Sequence, residues 1–451
     1  MTWTRRGTTK CRLRREVEST GRNFSEIPAS FAWRREEAGY GSTACVLLWV
    51  GRTQEGRDGL CVVGGRKRKK RKEKRQFGTM TRDLLALADW LRACGVTHVA
   101  MESTGVYWKP VWNVLEGQFE ILLVNAQHIK AVPGRKTDQN DAEWIADLLQ
   151  HGLLRRSFVP PTAIRELRDL TRYRVSLVQE CNRLANRIQK VLEDANIKLA
   201  SVATDALGAS GRAMLKAMIE GEGDAKKLAE MSRGLLRNKI PELQGALEGR
   251  MKSHHRFLLK ELMEHLEFVE SKIARLEQEI GEHLRPFEEE MEQLGTIPGV
   301  DWVTASGLIA EIGVNMNQFG DPEHLGSWAG VCPGSYESAG KRKSGKTRKG
   351  NAWLRRCLCQ AAWAVSTKRN NYLSALYRRL AARRGTKRAI LAVAHKLLQI
   401  AFYILRDGKC YRELGADYFD RLHPYRVKRH LVRRLESLGF QVNLVPASQA
   451  L

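Results

Sequence analysis

Three carboxylates and three serines in this 451-residue chain have the types and spacing to carry chemistry. Glu102 ends the apolar run THVAMEST, where a strand-end carboxylate projects from the carboxyl edge of a sheet. Asp138 and Asp141 stand at i and i+3, so on a helix, at about 100° per residue, they share one face. An acid ending a buried strand and two acids on one helical turn could converge on a metal ion. Hard oxygen donors of this kind suit Mg²⁺, with Mn²⁺ as an alternative, for in-line phosphoryl transfer. The same residues allow a structural reading, in which Asp138 caps the helix while Asp141 and Glu143 favour its dipole. Ser335, Ser338 and Ser344 lie in CPGSYESAGKRKSGKTRKGNAWLRR, among Lys341, Arg342, Lys343, Lys346, Arg348 and Lys349. A serine attacking a phosphodiester needs nearby cations to stabilise the pentavalent oxyanion. A basic loop contacting DNA or RNA without chemistry has the same composition. No His-Asp partner stands at a telling spacing, which argues against a hydrolase triad.

The elements that must position these residues follow from periodicity. Ala44 to Val50 reads as a strand, Thr81 to Ala93 as a helix striped by Leu84, Leu85, Leu87, Ala88 and Leu91, and Gly95 as its stop. Thr97–Met101 reads as a buried strand, Tyr107–Leu115 as a helix, Ile121–Val124 as a strand, and a helix starts near Asp138. Strands alternating with helices imply an α/β layer domain, closed by Pro160-Pro161. Heptads follow. Leu170, Leu177, Leu184 and Val191 form one tract, Leu259, Leu266, Ile273 and Ile280 a second, and the two predict an antiparallel pair or a coiled coil. Segment 206–250 between them is helical in composition but interrupted. LGTIPGVDWVTASGLIAEIG has the pattern of a helix-hairpin-helix, whose turn at Gly299 would offer backbone N–H groups to a phosphate; an ordinary helical hairpin fits equally.

Composition sets the class. Lys and Arg number 76 against 50 Asp and Glu, a formal charge of +26 that calls for a polyanionic partner. Residues 1–76 hold 20 Lys+Arg and 8 Asp+Glu, with nine of those cations in the run from Arg66 to Arg75. Several separated basic runs favour a long phosphate-tracking surface over a single solvated patch. The most apolar run, Leu391 to Leu405, is interrupted by His395 and Lys396, and the N-terminus has no apolar signal core, so neither a membrane span nor secretion is expected. Nine scattered cysteines, with no zinc-type pairing at Cys357 and Cys359, predict reduced thiols in a cytosolic protein.

The stretches MESTGVYWKPVWNVLE, VNAQHIKAVPGRKTDQNDAEWIADLLQHGLL, LGTIPGV and WAGVCPGSYESAGKRKSGKTRKGNAWLRR resemble, in order and separation, the insertion-sequence transposases of the IS-one-ten family, over roughly residues 77–410. The resemblance implies an α/β plus all-α chain. Residues 1–43 would be a basic, poorly ordered extension, 44–160 an RNase H-like (RuvC-like) domain, and 161–290 a helical coiled-coil region. Residues 291–410 would be a mainly helical transposase domain with the helix-hairpin-helix, and 411–451 a basic tail. Glu102, Asp138 and Asp141 match the second, third and fourth acids of an Asp-Glu-Asp-Asp metal site, and Ser338 matches the serine that becomes linked to DNA, with Ser335 and Ser344 as fallbacks. The implied activity is excision and insertion of the element by metal-assisted serine transesterification. The implied partners are DNA, a noncoding guide RNA and further copies of the chain, as a dimer or tetramer joined through the heptad helices. The chain departs from the family at the first acid. Counting back from Cys45 places it near Glu36 in WRREEAGYGS, with Glu37 and Asp58 the other carboxylates. Two rival readings follow from that departure and from the acids alone: a RuvC-like junction endonuclease using metal-activated water, and a catalytically inactive nucleic-acid-binding remnant.

Overall fold

The computed structural model describes residues 44–49, 57–63, 71–103, 105–125, 148–149, 153–154, 156–334, 336–338, 341–347 and 349–444. The chain divides into two compact units, Met1–Val159 and Pro160–Leu451.

The first unit is built on a five-stranded sheet. Strand β1 (Ala44–Trp49) pairs antiparallel with β2 (Arg57–Val63), which pairs antiparallel with β3 (Arg71–Phe77). Helix α1 (Thr81–Ala93) then leads to β4 (Val96–Glu102), parallel to β1, and α2 (Trp108–Leu115) leads to β5 (Glu120–Val124), parallel to β4. The sheet order is β3-β2-β1-β4-β5. Its helices form because their apolar residues recur on one side: Leu84, Leu87, Ala88 and Leu91 of α1 are buried with Val111, Trp112 and Leu115 of α2 against Val99, Met101, Ile121 and Leu123. The run Arg66 to Arg75, a basic patch by composition, supplies most of β3, an edge strand. Lysine and arginine suit an edge, because they discourage pairing with another chain. Strand β1 also corrects the count of elements. Counting back from Cys45 set the first acid before Ala44, yet β4 has β1 on one side and β5 on the other, so Ala44–Trp49 is itself the strand beside Glu102.

The second unit begins with α3 (Thr162–Asp194), followed by four short helices, α4 (Leu199–Val202), α5 (Ala209–Glu220), α6 (Ala225–Glu230) and α7 (Ile240–Leu247), and by α8 (Ser253–Leu284). Side-chain pairings show the direction of the long helices: Arg174 meets Glu277 at 2.5 Å, Glu180 meets His265 at 3.7 Å and Asp194 meets His255 at 2.8 Å, so α3 and α8 run antiparallel. Leu177, Leu184, Ile188 and Leu192 pack with Leu259, Met263, Leu266 and Val269, and the short helices close the same core with Leu199, Met214, Leu215, Leu228, Leu243 and Leu247. The heptads are therefore filled within one chain. Most of the stripe expected to join copies is already buried, and the large apolar residues left exposed on the pair include Tyr173, Phe257, Leu258 and Phe268. Leu184 is 1% exposed, so Leu184→Ala is expected to destabilise this unit by about 2–5 kcal/mol; an unchanged thermal melt would contradict the packing.

Beyond α8 come α9 (Glu288–Gly295), α10 (Trp302–Ile312), α11 (Pro322–Ala329), a hairpin of β6 (Tyr336–Ser338) and β7 (Lys341–Ser344), then α12 (Ala352–Thr367), α13 (Tyr372–Arg384), α14 (Thr386–Asp407), α15 (Tyr418–Leu422) and α16 (Pro424–Glu436). Helix α14 is long and apolar enough to cross a membrane by length and composition, and half of its most apolar window is buried. Its stripe of Ile390, Val393, Ala394, Leu397, Leu398, Ala401 and Phe402 is the core of this region, packed against α9, α11, α12 and α13.

Candidate nucleic-acid processing site

Glu102 ends β4 at the carboxyl edge of the sheet, where the strand-end reading placed it, and is partly buried. Its paired position on β5 is Val124. On β1 the register runs Leu48 to Met101, and one residue further brings Trp49 level with Glu102. The neighbouring strands thus offer no second carboxylate at that level. Asp58 pairs with Trp49 from β2, which sets it at the same level two strands from Glu102, about 10 Å away at roughly 4.8 Å per strand. Asp138, Asp141, Glu36 and Glu37 lie outside the described residues. Hard carboxylate donors suit a divalent cation, and of the three matched acids Glu102 is the one the fold can be seen to present.

The serine segment forms a hairpin rather than a featureless loop. Its register pairs Tyr336 with Ser344, Glu337 with Arg342 and Ser338 with Lys341. Ser338 therefore stands next to the turn, opposite a lysine, and Ser344 stands at the base; Ser335 and Arg348 lie outside the described residues. Lys346 and Lys349 are exposed beyond the base. The turn before α10 holds Gly299 at φ +89°, and a Cβ there would come within 2.9 Å of the Ala361 carbonyl and of Val365. Close approach to α12 accounts for this glycine. The start of α10 is capped by Asp301, whose carboxylate accepts the Thr304 N–H at 2.8 Å, so a phosphate at this turn would compete with a carboxylate.

Beyond the residues expected from the sequence, α3, α10 and the start of α12 enclose a buried charge cluster. Glu311, its side chain 4% exposed, accepts from Arg172 Nε and Nη2 at 2.7 and 2.8 Å. Arg168 donates to the carbonyls of Ala310 and Glu311 at 3.0 and 2.8 Å. Burial pushes the Arg168 guanidinium down to about 10, with the Glu311 charge opposing the shift. Trp353 carries a guanidinium over its ring from Arg172 at 5.6 Å and from Arg356 at 5.4 Å. The signal was a single acid in the apolar run LIAEIG, because an acid on a buried face needs a cationic partner.

Asp194, His254 and His255 form a second group of metal-ligating types, their ligand atoms within 4.8 Å of one another. The Lys252 N–H donates to Nδ1 of His255 at 3.2 Å, so the ring proton sits on Nε2 and is given to Asp194 at 2.8 Å. With both nitrogens committed, the ring has no lone pair for a cation, and the cluster ties the end of α3 to the start of α8.

Comparison with known proteins gives two matched stretches, the first of which crosses the boundary between the two units. A transposase family model named for the DEDD domain of IS110 matches residues 60–197, and one described as Transposase IS116/IS110/IS902 family matches residues 291–378. The chain is similar to the "Probable family 20 transposase" of Pseudomonas aeruginosa, 25% identical over 335 residues, covering 72% of this chain and 88% of that protein. It is 26% identical over 301 residues to the "Transposase for insertion sequence element IS1111A" of Coxiella burnetii, covering 64% and 72% of the two chains. It is also 26% identical over 335 residues to the "Transposase for insertion sequence element IS1328" of Yersinia enterocolitica, covering 72% and 88%. The first match identifies the sheet-bearing part as an RNase H-like transposase domain.

Proposed function

We propose, from the premise that the chain belongs to the IS116/IS110/IS902 family of transposases, that it excises and inserts its own element by serine transesterification. The observation that carries this reading is that the two matched stretches contain the three matched acids and the serine: Glu102, Asp138 and Asp141 in 60–197, and Ser338 in 291–378. The three acids hold a divalent cation, Mg²⁺ by their donor type, with Mn²⁺ as a substitute. Asp58 is the further carboxylate that the β1–β2 register favours. Bound there, the cation would neutralise phosphate oxygens and lower the pKa of a coordinated hydroxyl. Ser338 Oγ attacks the scissile phosphorus, the bond to the leaving DNA oxygen breaks, and that oxygen takes up the serine's proton. The phosphoserine ester keeps the bond energy, so rejoining to a second strand needs no ATP. Lys341 and its neighbours on β7 supply cations for the oxyanion.

Exchanging several strands needs more than one active site, so the working form is a dimer or tetramer in the bacterial cytoplasm. Its contact uses the outside of the α3/α8 pair, where Phe257, Leu258 and Phe268 are exposed. A noncoding RNA encoded beside the frame pairs with target and donor DNA. The domain limits proposed for this machine are 44–160, 161–290 and 291–410, flanked by the extension 1–43 and the tail 411–451.

A plasmid bearing the element ends, incubated with purified protein, Mg²⁺ and RNA transcribed from the flanking region, tests the reading. Joined excision products that require both Mg²⁺ and the RNA are expected. Free cut ends would favour the junction endonuclease, and salt-sensitive binding without cleavage in Mg²⁺ or Mn²⁺ the inactive remnant. Lys346→Ala with Lys349→Ala is expected to lower DNA affinity and reduce the log–log salt slope by about 2, one per phosphate contact; titrations at graded salt check this, and an unchanged slope would remove both lysines from the interface.

A further inference from the structure

The segments leading into and out of the β6–β7 hairpin are joined to each other, and the outgoing one ends at a residue bonded to a buried acid. Gly334 donates its N–H to the Lys346 carbonyl at 3.2 Å, closing the base. A Cβ on Gly350 would stand 2.4 Å from the Gly330 nitrogen, so the outgoing strand lies directly on the end of α11. Next comes Asn351, whose N–H bonds the Trp328 carbonyl at 3.3 Å. Its Oδ1 accepts the Trp353 and Leu354 N–H groups at 3.0 and 3.1 Å, and its Nδ2 donates to Glu311 Oε2 at 2.5 Å. Glu311 is fixed in turn by Arg172, and Arg168 holds the backbone on either side of it. Capping α12 needs only the acceptor, which serine or aspartate supplies as well. An amide offers acceptor and donor together. That second bond links the start of α12, and the foot of β7, to α10 and α3.

We propose that Glu311 and Asn351 are positioning residues, which fix the base of the hairpin so that Ser338 is held in line for strand transfer. The inference rests on the reading of Ser338 as nucleophile. Both residues act through the hairpin and not on the DNA. Misplacing a nucleophile by about 1 Å costs on the order of 100-fold in rate, so a link that keeps the hairpin in place has a kinetic signature distinct from a stabilising one.

Two variants of the full chain test it. Asn351→Ser keeps the cap and loses the donor to Glu311, whereas Glu311→Gln removes the charge that holds Arg172 and Arg168 and risks the fold. For each, three quantities are compared with native protein and with Ser338→Ala: trypsin cleavage between Lys341 and Lys349, DNA affinity, and the yield of covalent protein–DNA adduct. Asn351→Ser is expected to quicken hairpin cleavage by about tenfold, the equivalent of one hydrogen bond to a charged group. It should also lower adduct yield on the order of 100-fold and leave DNA affinity unchanged. Unchanged cleavage in Asn351→Ser overturns the inference, and so does quicker cleavage with native adduct yield. Adduct formation by Ser338→Ala would sink the serine reading instead, and the trypsin arm would still decide whether this pair holds the hairpin.

Discussion

Ser338→Ala is expected to lower excision by at least about 1,000-fold, since loss of a covalent nucleophile removes the step that conserves the phosphodiester energy. DNA affinity should stay within about twofold, because binding rests on cations and counterion release and not on the hydroxyl. The fold should survive. Ser338 pairs with Lys341 in a short hairpin, and the bond to α11 is made farther along the chain, by the Asn351 N–H that meets the Trp328 carbonyl. Quantifying excised circles from a plasmid carrying the element, with native protein in parallel, reads the effect. Full excision by the variant would remove the serine mechanism. If Ser344→Ala were the variant that lost activity, the nucleophile would lie at the base of the hairpin, opposite Tyr336.

Glu102→Gln is expected to reduce strand cleavage by about 100-fold or more at low Mg²⁺, because a neutral amide replaces a charged ligand while keeping the shape. Part of the loss should return as Mg²⁺ is raised. The unit's melting should change little, since Glu102 is only partly buried and the next link in the sheet, the Ser103 N–H to the Val124 carbonyl at 2.9 Å, is backbone. Cleavage measured against Mg²⁺ concentration distinguishes the cases. A displaced curve supports a ligand role, and a superimposable one assigns Glu102 to structure.

The sheet-bearing unit was legible wherever periodicity and punctuation agree. Helix α1 follows from its stripe ending at Leu91 with Gly95 beyond, and β4 and β5 from short buried apolar runs. Strand β3 was hidden because an edge strand has no need of apolar alternation, and its lysines and arginines read as a patch. Strand β1 lies directly beside β4, so counting back from Cys45 leads away from the position level with Glu102. The register identifies the gap by position: Trp49 stands level with Glu102 on the adjoining strand, and Asp58 one strand beyond. The heptads gave two long helices from spacing alone, but not where their faces go; the pairings of Arg174 with Glu277 and of Asp194 with His255 put both faces inside one chain. The glycines and lysines of the serine segment suggested a loop, whereas Tyr336, Glu337 and Ser338 pair with Ser344, Arg342 and Lys341. Glu311 illustrates what a sequence hides most easily, because its partners Arg172 and Asn351 lie 139 and 40 positions away.

The central claim is that a serine of this chain becomes covalently joined to DNA. Protein incubated with element-end DNA, RNA from the flanking region and Mg²⁺, then denatured, digested and analysed by mass spectrometry, tests it most directly. A nucleotide adduct is expected on the tryptic peptide containing Ser338, absent when the metal is chelated. Cut DNA strands with no adduct on any peptide would contradict it.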